Sequence, residues 1–483
     1  ISKRTFLDNR KINTGLWPTS KLLASPRVGF TYDVFGDRTL KFRGGTGIFT
    51  GRIPLVFFTN MPTNGGMVQN TVIRKDGSAD LAKLIVNGKI ITDVNQMVSA
   101  LGLPTTATAA LPSSIAAVDP DFKLPQVWKS SFAVDYQFPL SFPMSITFEG
   151  MYSKDINAVT QINVNMPDPA ASDFKRFSGK DNRYIYASKQ IYENVKDAEI
   201  LVNTDKGYGY NLNSILTAEP IENLKAMFAY THTVVKEISG NPGAQANSAW
   251  QNQASIDGPN ELGLQNSQYV TPNKVIGSLT YSINYAKFFA TNIGIYYAGY
   301  NSGNYSWIYS SDMNQDGVNN DLMFIPAAKE DIKFVDKNGF TAAQQADAFW
   351  DFINQDPYLS KNKGKYAEAY SAVLPWVNRF DLKISEDIKV KVGKTFNVLQ
   401  FSLDILNVGN FINNSWGVTK TSSPSNYGKI LKYDSKDPEN VPSYSMYYAT
   451  INGVKTLPTS SFSNYNATSN VWQLQLGLKY IFN

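Results

Sequence analysis

Oxygen-bearing side chains crowd the segment DMNQDGVNND, where Asp312, Asn314 and Asp316 alternate, Gly317 follows, and Asn320 and Asp321 close the stretch. Alternate side chains in such a segment converge on one cation while the glycine makes a sharp turn, which is the arrangement of a calcium loop. Calcium is a hard cation and takes oxygen ligands, so the residue types fit. The twelfth position counted from Asp312 is Met323, where a calcium loop places a bidentate glutamate. Asn320 and Asp321 are the substitutes this sequence offers. Asp, Asn and Gly are also ordinary turn formers, so the segment reads as a calcium site or as a polar turn.

Other chemistry is narrowed by what the chain lacks. Cysteine is absent and the histidine count is 1, which removes thiolate chemistry and any two-histidine metal centre. That histidine, His232 in AYTHTVV, has no identifiable catalytic partner and reads as a packed or membrane-interface residue. No Gly-x-Ser-x-Gly elbow, phosphate-binding loop or HExxH occurs, so the chain is not expected to be an enzyme. Lys and Arg number 45 against 40 Asp and Glu, a net +5 without a basic block, which leaves nucleic-acid binding without an electrostatic footprint. Aromatic residues Trp250, Tyr305, Trp307, Tyr309, Trp350 and Trp416 lie in polar loops and could stack on sugars or pack against one another.

The elements that must carry these residues are strands. At the end of the chain Trp472, Leu474, Leu476, Leu478, Tyr480 and Phe482 alternate with Gln473, Gln475, Gly477 and Lys479, a two-sided strand with one apolar face. The same alternation at 376 to 392 sets Trp376, Phe380, Leu382 and Ile384 against Arg379, Asp381 and Lys383. Eleven long strands follow from this rule, near 26–35, 40–50, 126–138, 143–154, 209–219, 224–235, 273–284, 287–300, 376–391, 396–409 and 470–483. Short turns alternate with connections of tens of residues, and the two kinds never change places. Membrane barrels have that asymmetry, because turns on one side are tight and loops on the other are long, whereas sandwiches do not. No stretch approaches the ~18 consecutive apolar residues of a membrane helix. The expected fold is therefore all-β, a transmembrane antiparallel β-barrel with long extracellular loops. The apolar set Trp472, Leu474, Leu476, Leu478, Tyr480 and Phe482 is expected to face lipid. Glu149, Arg379, Asp381, Lys383 and Asp404 are expected to line the lumen, as plain ionic lining or as a substrate path.

If the last strand runs inward, the long connections lie outside the cell and the first strand also runs inward. An odd set of this kind reads as part of a larger barrel, because complete single-chain bacterial barrels have an even number of strands. No export signal is visible at ISKRTFLDNRKINTG, so an exported protein starting there would be processed or truncated. Within the polar loops, 79–103 and 341–354 have partly helical spacing and are expected to hold short helices.

Three stretches carry a family resemblance: SPRVGFTYDVFGDRTLKFRGGTGIFTGRIP at 25–54, YLSKNKGKYAEAYSAVLPWVNRFDLKISEDIKV at 358–390 with LQFSLDILNVGNFINNSWG at 399–417, and the terminal VWQLQLGLKYIFN. In order and spacing they resemble the Oar-like branch of TonB-dependent receptors of Gram-negative outer membranes, and AEAYSA at 367–372 departs from the family's charged pattern. The resemblance implies that residues 1–483 are the C-terminal portion, about half, of a barrel of roughly 22 strands. It also implies a plug, a TonB box and a regulatory-like N-terminal domain, none of which is seen in this sequence. Implied partners are outer-membrane lipid and lipopolysaccharide, the plug, the TonB complex through that N-terminal region, and a surface lipoprotein. The function implied is uptake or movement of a bulky ligand, peptide, protein or glycan. A passive porin and a secreted β-rich adhesin are the other readings the residues leave open. Apart from calcium, no cofactor is expected.

Overall fold

The computed structural model describes residues 3–63, 79–103, 114–393, 395–422 and 428–482. The polar stretch at 64–70 and Asn483 lie outside the described residues. Side chains that alternate in polarity form extended backbone with two unlike faces, and that pattern is realised in β1 (Arg27–Asp33), β2 (Leu40–Thr50), β4 (Gln126–Gln137), β5 (Met144–Asn163), β7 (Gly207–Ile221), β8 (Leu224–Glu237), β9 (Asn273–Tyr285), β10 (Phe289–Asn301), β11 (Trp376–Val392), β12 (Thr395–Leu406) and β13 (Gln473–Phe482). Each pairs antiparallel with the next in that order, so the sheet is a simple meander with β1 and β13 at its two edges. All eleven strands read from the sequence are present in their expected places.

The register puts like with like. Ile405, Leu403 and Phe401 stand opposite Leu474, Leu476 and Leu478, while Asp404 stands opposite both Lys383 and Gln475. A one-residue slip would exchange the two faces, so the pattern itself fixes the pairing. Leu476 is 75% exposed and Leu478 68% exposed, far more than core leucines, which leaves a wide apolar outer face on the sheet.

The hydrophobic cores lie in the long connections instead. The largest gathers Trp307, Tyr309, Met313, Met323, Ile325, Phe349 and Phe352 from 302–375 with Phe177 and Ile185 from 164–206 and Ile430, Leu431 and Tyr444 from 407–472. A second joins Phe6 and Ile12 to Ile115, Val164, Val195 and Ile200, and a third joins Ile53, Phe57 and Met61 to Val118, Phe122, Leu201 and Ala249. Burial of each large side chain contributes about 1.5 to 3 kcal/mol, so the connections form a folded cap at one end of the sheet.

Two elements of that cap go beyond the sequence expectation. β5 continues to Asn163, past the expected end at 154, and its upper part pairs with β6 (Asp197–Thr204), which pairs in parallel with β3 (Ser114–Val118). Here Ile162 packs on the second core and Val159 on the third, so both faces are covered and the two-sided alternation that marks a strand is lost. The 79–103 stretch is helical only at Ala79–Ala82 and Val94–Ala100. Between them Asn87 and Gly88, both at positive φ, make the tight turn of a small hairpin, Ile85–Val86 with Lys89–Ile90. The 341–354 helix is found as Ala342–Gln355, capped by Thr341, whose Oγ1 accepts from Gln344 N at 3.2 Å. It buries Gln345, Phe349, Phe352 and Ile353 on one face.

Candidate functional site

The 312–321 segment folds as a tight loop inside the cap. Gly317 at φ +100° makes the turn, and its N–H donates to Asp312 Oδ2 at 2.9 Å. Asn314 Oδ1 accepts from Asp316 N at 3.0 Å, Asn314 Nδ2 donates to Asp316 Oδ2 at 3.1 Å, and Asp316 Oδ1 accepts from Val318 N at 2.7 Å. Asp312, Asn314 and Asp316 are thus brought together. Asn320 and Asp321 point elsewhere: Asn320 Nδ2 donates to Gln251 O at 2.7 Å, and Asp321 accepts from Met313 N at 2.7 Å while facing Arg183 at 3.5 Å. Met323 is fully buried in the largest core.

The electrostatics of the loop are unbalanced. Lys189 reaches Asp312 Oδ2 at 3.3 Å, yet Asp312 Oδ1 is shielded from solvent and has no hydrogen-bond partner. Burial, and then the charge of Asp312, push the Asp316 carboxyl up to about 7. An orphaned carboxylate oxygen beside a second, disfavoured carboxylate is a donor set that fits a hard cation, which Asp312, Asn314 and Asp316 would hold. Asp321 is turned away from them to Met313 N and Arg183, and the Asn320 amide is turned to Gln251 O. Among the described residues no three Asp, Glu, His or Cys side chains gather into one metal-ligand group.

Beside the loop lies a network that sequence reading missed. Arg183, fully buried, donates through Nε and a terminal nitrogen to both oxygens of Asp181 at 2.9 and 3.1 Å and to Leu322 O at 2.6 Å. Asp181 also accepts from the hydroxyls of Tyr309 and Tyr366, each at 2.9 Å. The only local signal is the Asp-x-Arg spacing in KDNRY; the tyrosines arrive from a connection more than a hundred residues away.

On the ionic face of the sheet, Arg43 binds Asp135 at 3.0 Å and Glu149 at 2.9 Å, Lys383 binds Asp404 at 2.7 Å, and Arg379 binds Asp381 at 3.0 Å. His232 lies on the opposite, apolar face, its Nδ1 at 3.0 Å from Asn273 Oδ1 and its ring 6.1 Å from that of Tyr210. Of the loop aromatics, Trp250, Tyr305, Trp307 and Tyr309 are buried in cap cores. Trp350 lies under the Lys363 ammonium, and Trp416 stacks obliquely on Phe380 at 5.2 Å.

The molecule is thus an alternating sheet with one apolar and one ion-paired face under a folded cap. The family model described as an outer membrane β-barrel domain matches residues 3–441. The chain belongs to that family. An outer membrane β-barrel domain crosses the bilayer with strands, and this one accordingly resides in the outer membrane. Two solved structures share a likeness with this barrel domain. One is the outer membrane transporter YddB from Escherichia coli, 11% identical, with a TM-score of 0.41 over 95% of this chain and 40% of the other. The second is the RagAB peptide importer in its closed-closed state, 8% identical, with a TM-score of 0.18 over 90% of this chain and 54% of the other. The barrel domain thus spans about half or less of each of those chains. No curated protein matches its sequence.

Proposed function

We propose that this barrel domain belongs to an outer-membrane receptor of the TonB-dependent kind that takes up a bulky ligand, and that it has no catalytic activity of its own. The observation that carries the reading is the architecture: among the described residues, eleven strands form one meander whose first and last strands do not pair, joined on one side only by connections that fold into a cap with separate cores. That count already exceeds the barrels of about eight strands that side chains can fill, and a wider barrel encloses a lumen. In this reading the apolar face meets lipid and the ionic face, with Arg43, Glu149, Arg379, Asp381, Lys383 and Asp404, lines that lumen. A plug and a TonB box elsewhere in the polypeptide would close the lumen and couple it to energy, and the cap would meet the ligand, with or without a surface lipoprotein. The expected behaviour is ligand uptake in cells that stops when the proton-motive force is collapsed, with low conductance of the full-length protein in planar bilayers. Large steady conductance with uptake that ignores the proton-motive force would instead make it a porin.

A second reading concerns the 312–321 loop, which we infer holds a structural calcium ion through Asp312, Asn314 and Asp316. The unpartnered Asp312 Oδ1 supports it. The ion would brace the cap and take no part in uptake.

A further inference from the structure

Arg27, Gly47 and Lys129 stand in one cross-strand row, Arg27 opposite Gly47 and Gly47 opposite Lys129. All three belong to the ionic face, since two-residue steps along β2 lead from Gly47 through Gly45 to Arg43. The outer two are one strand spacing from the glycine on either side, so their backbones lie about 10 Å apart. With no side chain at Gly47, the Arg27 stem lies across the row toward Lys129, and the two cations flank a shallow notch. Gly47 is required there: a Cβ would stand 2.9 Å from Arg27 Cγ and 2.9 Å from Pro26 O, so only glycine lets the arginine stem lie flat. Phe49, two residues further along β2, forms the next wall; its ring centroid is 4.4 Å from the Arg27 guanidinium carbon and 5.9 Å from Lys129 Nζ.

Neither cation has an acidic partner among the described residues. Asp135 and Glu149, on the same face, are both held by Arg43. Asp155, opposite Val127 and so one step from Lys129 along the face, lies against Gly207 and makes no ion pair with the lysine. Two positive charges are therefore drawn over one ring without a counter-charge. Like charges repel, so the arrangement is relieved by an anion that bridges them.

What lies beyond the notch narrows the class of anion. Past the end of β2 at Thr50, Ile53, Pro54, Val56 and Phe57 form, with Pro125 and Val159, an apolar cleft of about 640 Å³ that has exposed Arg52 at its edge. Gly47 and Ile53 are six residues apart in the chain, so notch and cleft lie at most roughly 20 Å from one another, within reach of an extended hexapeptide. A uronate or sulfated glycan offers charge but no apolar side chain for the cleft. We propose that this strip binds an acidic peptide, a carboxylate sitting between Arg27 and Lys129 and an apolar side chain entering the cleft at Ile53 and Phe57. The proposal deepens, and rests on, the reading of the protein as a receptor with this face toward the lumen.

The test is fluorescence anisotropy with the full chain in detergent micelles, its assembly checked by heat-modifiable migration. The probe is a dye-labelled octapeptide carrying aspartates at one end and leucines at the other. The comparators are its lysine counterpart, a version with serine for leucine, and an oligouronate of equal charge. The acidic leucine peptide is expected to bind best, to weaken steeply with salt, and to lose about tenfold in affinity in the Arg27→Gln, Lys129→Gln double variant. Lys129→Arg, which keeps the charge, should bind within about twofold of the unaltered chain. No binding of the acidic peptide, equal binding of its lysine counterpart, or an unchanged double variant overturns the proposal. An oligouronate that binds as tightly as the peptide overturns the assignment to peptides. Binding in micelles needs no energy coupling, so these failures strike the site alone. The receptor reading falls separately, on uptake that ignores the proton-motive force.

Discussion

Glu199, fully buried on β6, accepts a hydrogen bond from Asn247 Nδ2 at 2.8 Å through Oε1, while its Oε2 has no partner. Burial, with some repulsion from Asp197, pushes this carboxyl up to about 8. The native state therefore holds a proton that the unfolded chain releases near 4.5, and stability should fall as pH rises from that value through about 8. Glu199→Gln keeps the shape and removes the charge. Thermal unfolding followed by tryptophan fluorescence is expected to show the variant matching the parent at pH 5 and melting a few degrees higher at pH 9. Parallel pH profiles for the two proteins would mean that the carboxyl is ionised at no cost.

Arg183 holds together Asp181, Asp321 and, through Asp181, the hydroxyls of Tyr309 and Tyr366. Removing the cation leaves buried carboxylates without compensation, at a cost of about 3 to 5 kcal/mol. Arg183→Met is expected to loosen the cap while the sheet stays assembled. Limited proteolysis should then cut within 164–206 and 302–375 at protease levels that spare the parent; equal resistance would show that the network contributes specificity of packing but little stability.

Calcium in excess over chelator is expected to raise the melting temperature of the cap, which buried Trp307 reports. Asp312→Asn and Asp316→Asn should each abolish that increase, because each removes a charged ligand of a hard cation. Identical melting in calcium and in chelator would leave the loop as a polar turn.

Leu476 and Gln475 are neighbours on opposite faces of β13. Arg at Leu476 has to carry its guanidinium through hydrocarbon and should cost roughly 2 to 4 kcal/mol, whereas Arg at Gln475 meets water in the lumen and should be tolerated. Folding of both variants into lipid vesicles, followed by urea titration, measures the difference. Equal tolerance would defeat the assignment of the two faces.

Much of the sheet was legible in the amino-acid order because a period of two is local information. Trp376 to Val392 or Gln473 to Phe482 show both faces within a single strand, and the apolar side has only one place to go in a membrane. Turn lengths were equally local, and with them came the meander and the side on which the long connections lie. Tertiary structure decided the rest. β5 runs on to Asn163 because other connections cover both of its faces, so no alternation remained to be read. The 312–321 segment announced its oxygens, but that Asp321 turns to Arg183 while Asp312 Oδ1 is left without a partner depends on residues far away in the chain. Arg27 and Lys129 were two unremarked cations until register placed them on either side of Gly47. Alternation along a strand is set by neighbours in sequence, whereas a site is set by which strands become neighbours in space.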